Sequence, residues 1–145
     1  VDLRPFMHAC WKLNNASALH TSLPVLHPIC KGHLLFLRYS EKTPMRVNKY
    51  NIEEPMLACP DVIPTFHHQV ILMPLVGFDA SGNRLGMGGG YYDRTLASIQ
   101  AQMIKPKLIG IAHDCQQVDQ LPVQQWDIPV NAIVTPTQQL SFNRT

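Results

Sequence analysis

Val70-Ile-Leu-Met-Pro-Leu-Val76 leads through Gly77-Phe-Asp-Ala-Ser-Gly-Asn83 into Arg84-Leu-Gly-Met-Gly-Gly-Gly-Tyr-Tyr-Asp93. The first stretch is a continuous apolar run, which suits a strand buried on both faces of a parallel sheet. Asp79-Ala-Ser-Gly-Asn83 reads as a turn. A helix is predicted over 92–103, stopped by Pro106, and a second buried strand over 108–112. Residues 122–129 read as a loop and 131–135 as a last short strand. Strand, glycine loop, helix and strand in that order imply a parallel α/β unit with a right-handed crossover.

Working outward, residues 5–13 are predicted helical. Phe6, Cys10 and Leu13 share one face, Pro5 fits the first turn, and Asn14-Asn15 fits a stop. Residues 15–22 are polar and ambiguous. Residues 23–26 form a short apolar run, and His33 to Tyr39 a strand. Residues 41–64 hold four prolines and read as a long, mostly irregular connection with at most one short element.

The chain has 145 residues, 46% of them hydrophobic and 15% charged, which argues for one folded domain over disorder. A net charge of +2 gives no footing for nucleic acid or a membrane surface as a partner. Cys10, Cys30, Cys59 and Cys115 are widely spaced and are expected as reduced, buried thiols of a cytoplasmic protein.

Gly86, Gly88, Gly89 and Gly90 let the main chain approach a ligand closely, and amides opening a helix suit an anion. Arg84 is placed to add a charged contact to a phosphate. The segment is neither a Walker loop, since Tyr91-Tyr92 follow Gly90, nor a G-x-G-x-x-G fingerprint, since position 91 is Tyr. His67-His68 are adjacent and so point apart on an extended chain. His113-Asp114-Cys115 cannot easily form a nucleophile–base pair from neighbouring positions.

Arg84 through Asp93-Arg94 resembles the ATP loop of the 5-formyltetrahydrofolate cyclo-ligase (methenyltetrahydrofolate synthetase) family. The resemblance extends over roughly residues 23 to 137. It takes in Leu72-Met-Pro-Leu-Val-Gly-Phe-Asp79, Asn48-Lys-Tyr-Asn-Ile-Glu-Glu-Pro55, Gly110-Ile-Ala-His-Asp-Cys115, Leu121-Pro122, and Trp126-Asp-Ile-Pro129 through Val134-Thr-Pro136. It implies an α/β fold of three layers, with a mainly parallel sheet and helices on both faces, in a single domain over 1–145. It also implies a chain that lacks the family's N-terminal basic helix and first strand.

The activity it implies is ATP- and magnesium-dependent conversion of 5-formyltetrahydrofolate to 5,10-methenyltetrahydrofolate, with ADP and phosphate released. By resemblance, Arg84, Leu85, Gly86, Met87, Gly88, Gly89, Gly90, Tyr91 and Tyr92 hold ATP. Tyr91, Met87 and Glu54 face the folate, and Asp93 and Asp127 ligate magnesium. Met87 stands where some members carry a basic residue. From the residues alone, Asp93 also suits a helix cap, Asp127 a turn, and the two tyrosines core packing. Partners are expected to be small molecules, with the chain a monomer or weak homodimer. Two rival readings are a truncated, non-catalytic member that binds phosphate or a partner, and a sugar-phosphate isomerase-like enzyme.

Overall fold

The computed structural model describes residues 1–13 and 19–142, so the predicted stop at Asn14-Asn15 lies outside the described residues. The chain divides into two compact units, Asp2–Thr65 and Phe66–Thr145, the latter taking in Val1.

In the first unit, α1 (Arg4–Leu13) forms where predicted, but its apolar face stays largely open. Phe6 and Leu13 are exposed and Cys10 is half-buried. The helix is fastened instead by Trp11, which meets the Tyr39 ring edge-on at 5.1 Å and donates from Nε1 to Thr21 Oγ1 at 2.9 Å. Thr21 in turn donates to the Tyr39 carbonyl at 2.6 Å.

Strands β1 (Ser22–Leu26) and β2 (Leu34–Arg38) form an antiparallel hairpin, with Leu26 opposite Leu34. The supposedly irregular stretch after them is organised. β3 (Met45–Val47) and β4 (Glu53–Pro55) pair antiparallel, and β5 (Val62–Ile63) adds to β2. The β3–β4 turn closes because Asn48 Oδ1 accepts the amides of Tyr50 at 2.9 Å and Ile52 at 3.2 Å. Asn51 takes the left-handed conformation there (φ 59°), which asparagine tolerates.

Glu54 of β4 is 3% exposed and fully engaged. It accepts from Arg46 Nη2 at 2.9 Å, Arg46 Nε at 3.1 Å, Asn48 Nδ2 at 3.1 Å and the Leu26 amide at 3.1 Å. Burial alone would raise its pKa, but these donors hold it below the usual carboxylate value.

In the second unit, β6 (Val70–Pro74), β9 (Lys107–Ile111) and β10 (Ala132–Val134) run parallel, and β11 (Gln139–Ser141) closes an antiparallel hairpin on β10. The order is β11-β10-β9-β6. α2 (Tyr91–Ala97) lies on the crossover from β6 to β9.

Three expectations are corrected. The pairing is mixed rather than mainly parallel, because the connections between β1 and β2, β3 and β4, β7 (Gly77–Phe78) and β8 (Arg84–Leu85), and β10 and β11 are too short for a crossover. β6 alternates instead of burying both faces: Ile71 and Met73 are buried, while Val70 and Pro74 are exposed. α2 stops at Ala97, and three-residue turns carry the chain on from Leu96 to Gln102. Met103 and Ile104 stand in solvent, so no apolar contact extends the helix.

The core of this unit gathers Phe78, Leu96, Ile99, Leu108, Ile128, Val130 and Ile133. Gly110 is required there, since a Cβ would lie 2.7 Å from Leu75 Cδ2. The cysteines are free as expected but not buried. Cys30, Cys59 and Cys115 are exposed because they lie on turns. Among the described residues no helix is long and apolar enough to cross a membrane.

Because the Glu54 pKa is lower folded than unfolded, its stabilisation is complete above the unfolded value near 4.5 and is lost as pH falls through the folded value. Urea midpoints at pH 7, 5, 4 and 3 should therefore fall on the acid side. Glu54→Gln should lower the pH 7 midpoint and flatten that acid limb; an unchanged limb would remove Glu54 from this role.

Candidate functional site

The site is built in Phe66–Thr145 beyond the carboxyl end of β6. β7 (Gly77–Phe78) and β8 (Arg84–Leu85) form a hairpin whose turn is organised by Asp79. Asp79 is 2% exposed. Its Oδ1 accepts the amides of Ser81 at 2.9 Å and Asn83 at 3.1 Å. Its Oδ2 accepts Asn83 Nδ2 at 2.9 Å and the amide of Leu121 at 3.1 Å. Burial would raise this pKa too, and the four donors bring it below the usual value. The last of these bonds reaches 42 residues along the chain and fastens the 121–130 loop beside the hairpin. Gly82 (φ +80°) adds to the same junction. Its carbonyl accepts the Val130 amide at 3.2 Å, and a Cβ would lie 2.7 Å from the Phe142 ring.

Arg84 follows at once. Its side chain is 5% exposed, and Nη2 donates to Asp93 Oδ1 at 2.6 Å across the glycine loop. The same oxygen accepts the Ile128 amide at 3.0 Å. One carboxylate thus ties β8, the first turn of α2 and the 121–130 loop together. Asp127, next in chain to Ile128, caps its own turn: Oδ2 accepts the Gln124 amide at 2.8 Å. Asn83, Arg84, Pro122, Val123, Asp127, Ile128 and Pro129 line one cleft of about 120 Å³. That is below the roughly 300 Å³ at which small-molecule pockets begin, and it suits an ion or a phosphate group better than a whole nucleotide.

The loop from Gly86 to Gly90 joins β8 to α2. Gly88 (φ +83°) and Gly90 (φ +64°) take conformations that side chains disfavour. Met87 is almost wholly exposed. Arg94 Nη2 donates to the Gly89 carbonyl, and its guanidinium lies 5.7 Å from the Tyr91 ring. A Cβ at Gly89 would come within 2.8 Å of that ring. Burial pushes the Tyr92 phenol up to about 12, with the Arg84 charge pulling the other way, so Tyr92 stays neutral at any physiological pH.

Of the residues singled out in the sequence, Arg84, Asp93 and Asp127 come together around the 121–130 loop. Leu85 through Tyr92 form the run between them. Glu54 belongs to the other unit, where Arg46, Asn48 and the Leu26 amide occupy its carboxylate. The reading of Asp127 as a turn aspartate describes what its carboxylate does in this structure. Asp93 accepts no amide of its own helix among the bonds described, so the cap reading does not fit it.

Sequence reasoning missed Asp79. The Asp-x-Ser-Gly-Asn pattern signals the turn, but nothing local signals the bond to Leu121. At Asp114, the Thr135 and Thr137 hydroxyls hold the pKa below its usual value. His113 and Cys115 beside it are exposed. Among the described residues no three His, Cys, Asp or Glu groups could hold a metal by themselves. Of the residues expected to ligate magnesium, Asp93 accepts the amide of Ile128, the neighbour of Asp127 in the chain. Two carboxylate oxygens fit a hard cation that keeps waters and takes its remaining ligands from phosphate.

The class defined by fold and site is an α/β protein with a glycine-rich loop at the carboxyl edge of a parallel strand. The profile of the 5-formyltetrahydrofolate cyclo-ligase family matches residues 15–136. The 5-formyltetrahydrofolate cyclo-ligase of Escherichia coli K12 is 45% identical over 138 residues, covering 95% of this chain and 72% of that protein. That of Haemophilus influenzae is 44% identical over 130 residues, covering 90% and 66%. The NMR structure of Aquifex aeolicus 5,10-methenyltetrahydrofolate synthetase superposes with a TM-score of 0.76 at 29% identity, covering all of this chain and 67% of that one. The chain belongs to the 5-formyltetrahydrofolate cyclo-ligase family, a family of ligases.

Asp79→Ala leaves the Leu121 and Asn83 donors unmatched in a buried place. The variant should lose about 2–4 kcal/mol of stability in urea unfolding followed by circular dichroism. A loss within about 0.5 kcal/mol, the range of ordinary surface changes, would mean that the turn holds without its carboxylate.

Proposed function

We propose that this chain uses ATP to close 5-formyltetrahydrofolate to 5,10-methenyltetrahydrofolate, releasing ADP and phosphate. The observation that carries the reading is that Arg84 pairs with Asp93 across the glycine loop and lines one cleft with Asp127, in a chain of this family. The γ-phosphoryl group passes to the formyl oxygen, giving an N5-iminium phosphate. N10 of the folate attacks the activated carbon, and phosphate leaves as the ring closes. No protein nucleophile is needed, and catalysis consists of positioning and charge stabilisation.

In this reading residues 84–92 wrap the ATP phosphates, the loop's backbone amides facing the anion and Arg84 supplying a positive charge. Asp93 and Asp127 would hold a magnesium ion, which when bound neutralises charge on the transferring group. Tyr91 and Met87 would face the folate. Glu54 would act on the folate side only by giving up one of its present partners. The same proposal includes the family's three-layer arrangement in a single domain. It also has the chain acting in the cytoplasm on small molecules, as a monomer or weak homodimer.

The test is to mix the chain with 5-formyltetrahydrofolate, magnesium and ATP and to follow the absorbance of the methenyl product. ATP-dependent growth is expected, and its absence would overturn the proposal for this chain. Asp93→Ala should abolish turnover while unfolding stays cooperative. Asp127→Asn should shift the magnesium titration to higher concentration. Gly89→Val, which drives a side chain into Tyr91, should weaken ATP binding by more than about tenfold, equivalent to about 1.4 kcal/mol. Normal ATP affinity in that variant would reduce the loop to a connector.

A further inference from the structure

Arg84 is an incomplete residue in its present setting. Its side chain is 5% exposed, and its Nε is buried with no hydrogen-bond partner. Nη2 is engaged, at 2.6 Å from Asp93 Oδ1. A buried guanidinium with an unmatched donor invites an acceptor, and Arg84 lines the same cleft as Asp127. At the same time the guanidinium sits against the carboxylate that a cation would need. A dication approaching Asp93 meets a positive charge already bonded to that carboxylate, and like charges in a poorly solvated place repel strongly.

We propose that Arg84 is a positioning residue that keeps Asp93 in an ion pair until a phosphate takes the guanidinium, so that metal and phosphate bind together rather than singly. The proposal rests on the reading of Asp93 as a metal-holding carboxylate and concerns how that site is regulated. A phosphate oxygen gives Arg84 a stronger set of charge-assisted bonds, its Nε included. Asp93 Oδ1 is then released from its cation but still oriented by the Ile128 amide. The carboxylate becomes available to a hard cation at the moment when phosphate oxygens arrive to complete the coordination. Coupling of this kind is reciprocal: the factor by which phosphate tightens the metal is the factor by which the metal tightens phosphate.

The test uses the full chain, Mn²⁺ as a paramagnetic stand-in for magnesium, and inorganic phosphate as the anion. Free Mn²⁺ is read by electron paramagnetic resonance, so no turnover is involved. In the unaltered protein phosphate should tighten Mn²⁺ binding at least about fivefold, the lower end of ordinary allosteric coupling. Arg84→Gln should bind Mn²⁺ alone at least about fivefold more tightly than the unaltered protein, with phosphate adding nothing further. Asp93→Asn should bind Mn²⁺ weakly with or without phosphate.

If phosphate leaves Mn²⁺ affinity unchanged in the unaltered protein while Asp93→Asn abolishes binding, the ion-pair lock is wrong and the metal reading stands. If Asp93→Asn binds Mn²⁺ as well as the unaltered protein does, the metal reading fails and takes the lock with it. The phosphate arm needs no substitution, so a poorly folding Arg84→Gln would leave the outcome decidable.

Discussion

A carboxylate removed from water must find hydrogen-bond donors or a cation, or the segment carrying it will not stay folded. In Phe66–Thr145 that requirement organises the candidate site. Asp79 gathers three backbone amides and the Asn83 side chain, which sets the β7–β8 turn and brings Leu121 to it. Asp93 takes the Arg84 guanidinium and the Ile128 amide on one oxygen. Between them the two aspartates fix both ends of the glycine loop and the first and second halves of the 121–130 segment. The loop itself can then be open and glycine-rich, because its geometry is imposed from its ends.

Asp2–Thr65 meets the same requirement at Glu54. Its four donors come from the facing strand β3, the β3–β4 turn and the last residue of β1. A three-residue strand pair is too short to hold by its own ladder. The buried carboxylate is what makes a proline-bearing, weakly periodic stretch into a hairpin. A carboxylate so fully partnered can meet a ligand only by giving up one of these donors.

Arg84, the cation proposed for the phosphate, and Asp93, the carboxylate proposed for the metal, form one neutral pair in this structure. Arg84 and Asp93 carry opposite charge into a buried place where neither would be stable alone. The pair is therefore electrically balanced before any ligand arrives, and a ligand that takes either member must replace the charge that the other supplies. Asp127, held in its turn by the Gln124 amide, is the carboxylate outside that pair.

Local pattern sufficed for the strands at 70–74 and 107–111, the helix at 4–13, the turn at 79–83 and the parallel β6–β9 pairing. Apolar runs, glycine and proline act over a few residues and leave their signature in the sequence. The ordered motifs also fixed the family, since no single spacing had to carry the inference. Other features were decided by contacts between distant residues. The length of α2 depended on whether Met103 and Ile104 found apolar partners, and they did not. β3, β4 and β5 depended on Glu54 and on pairing with β2. The second donor to Asp93 Oδ1, the Ile128 amide, arrives from 35 positions away. A sequence displays which groups are charged; only the tertiary structure determines which of them must neutralise one another, because burial makes that choice and burial is a property of the whole fold.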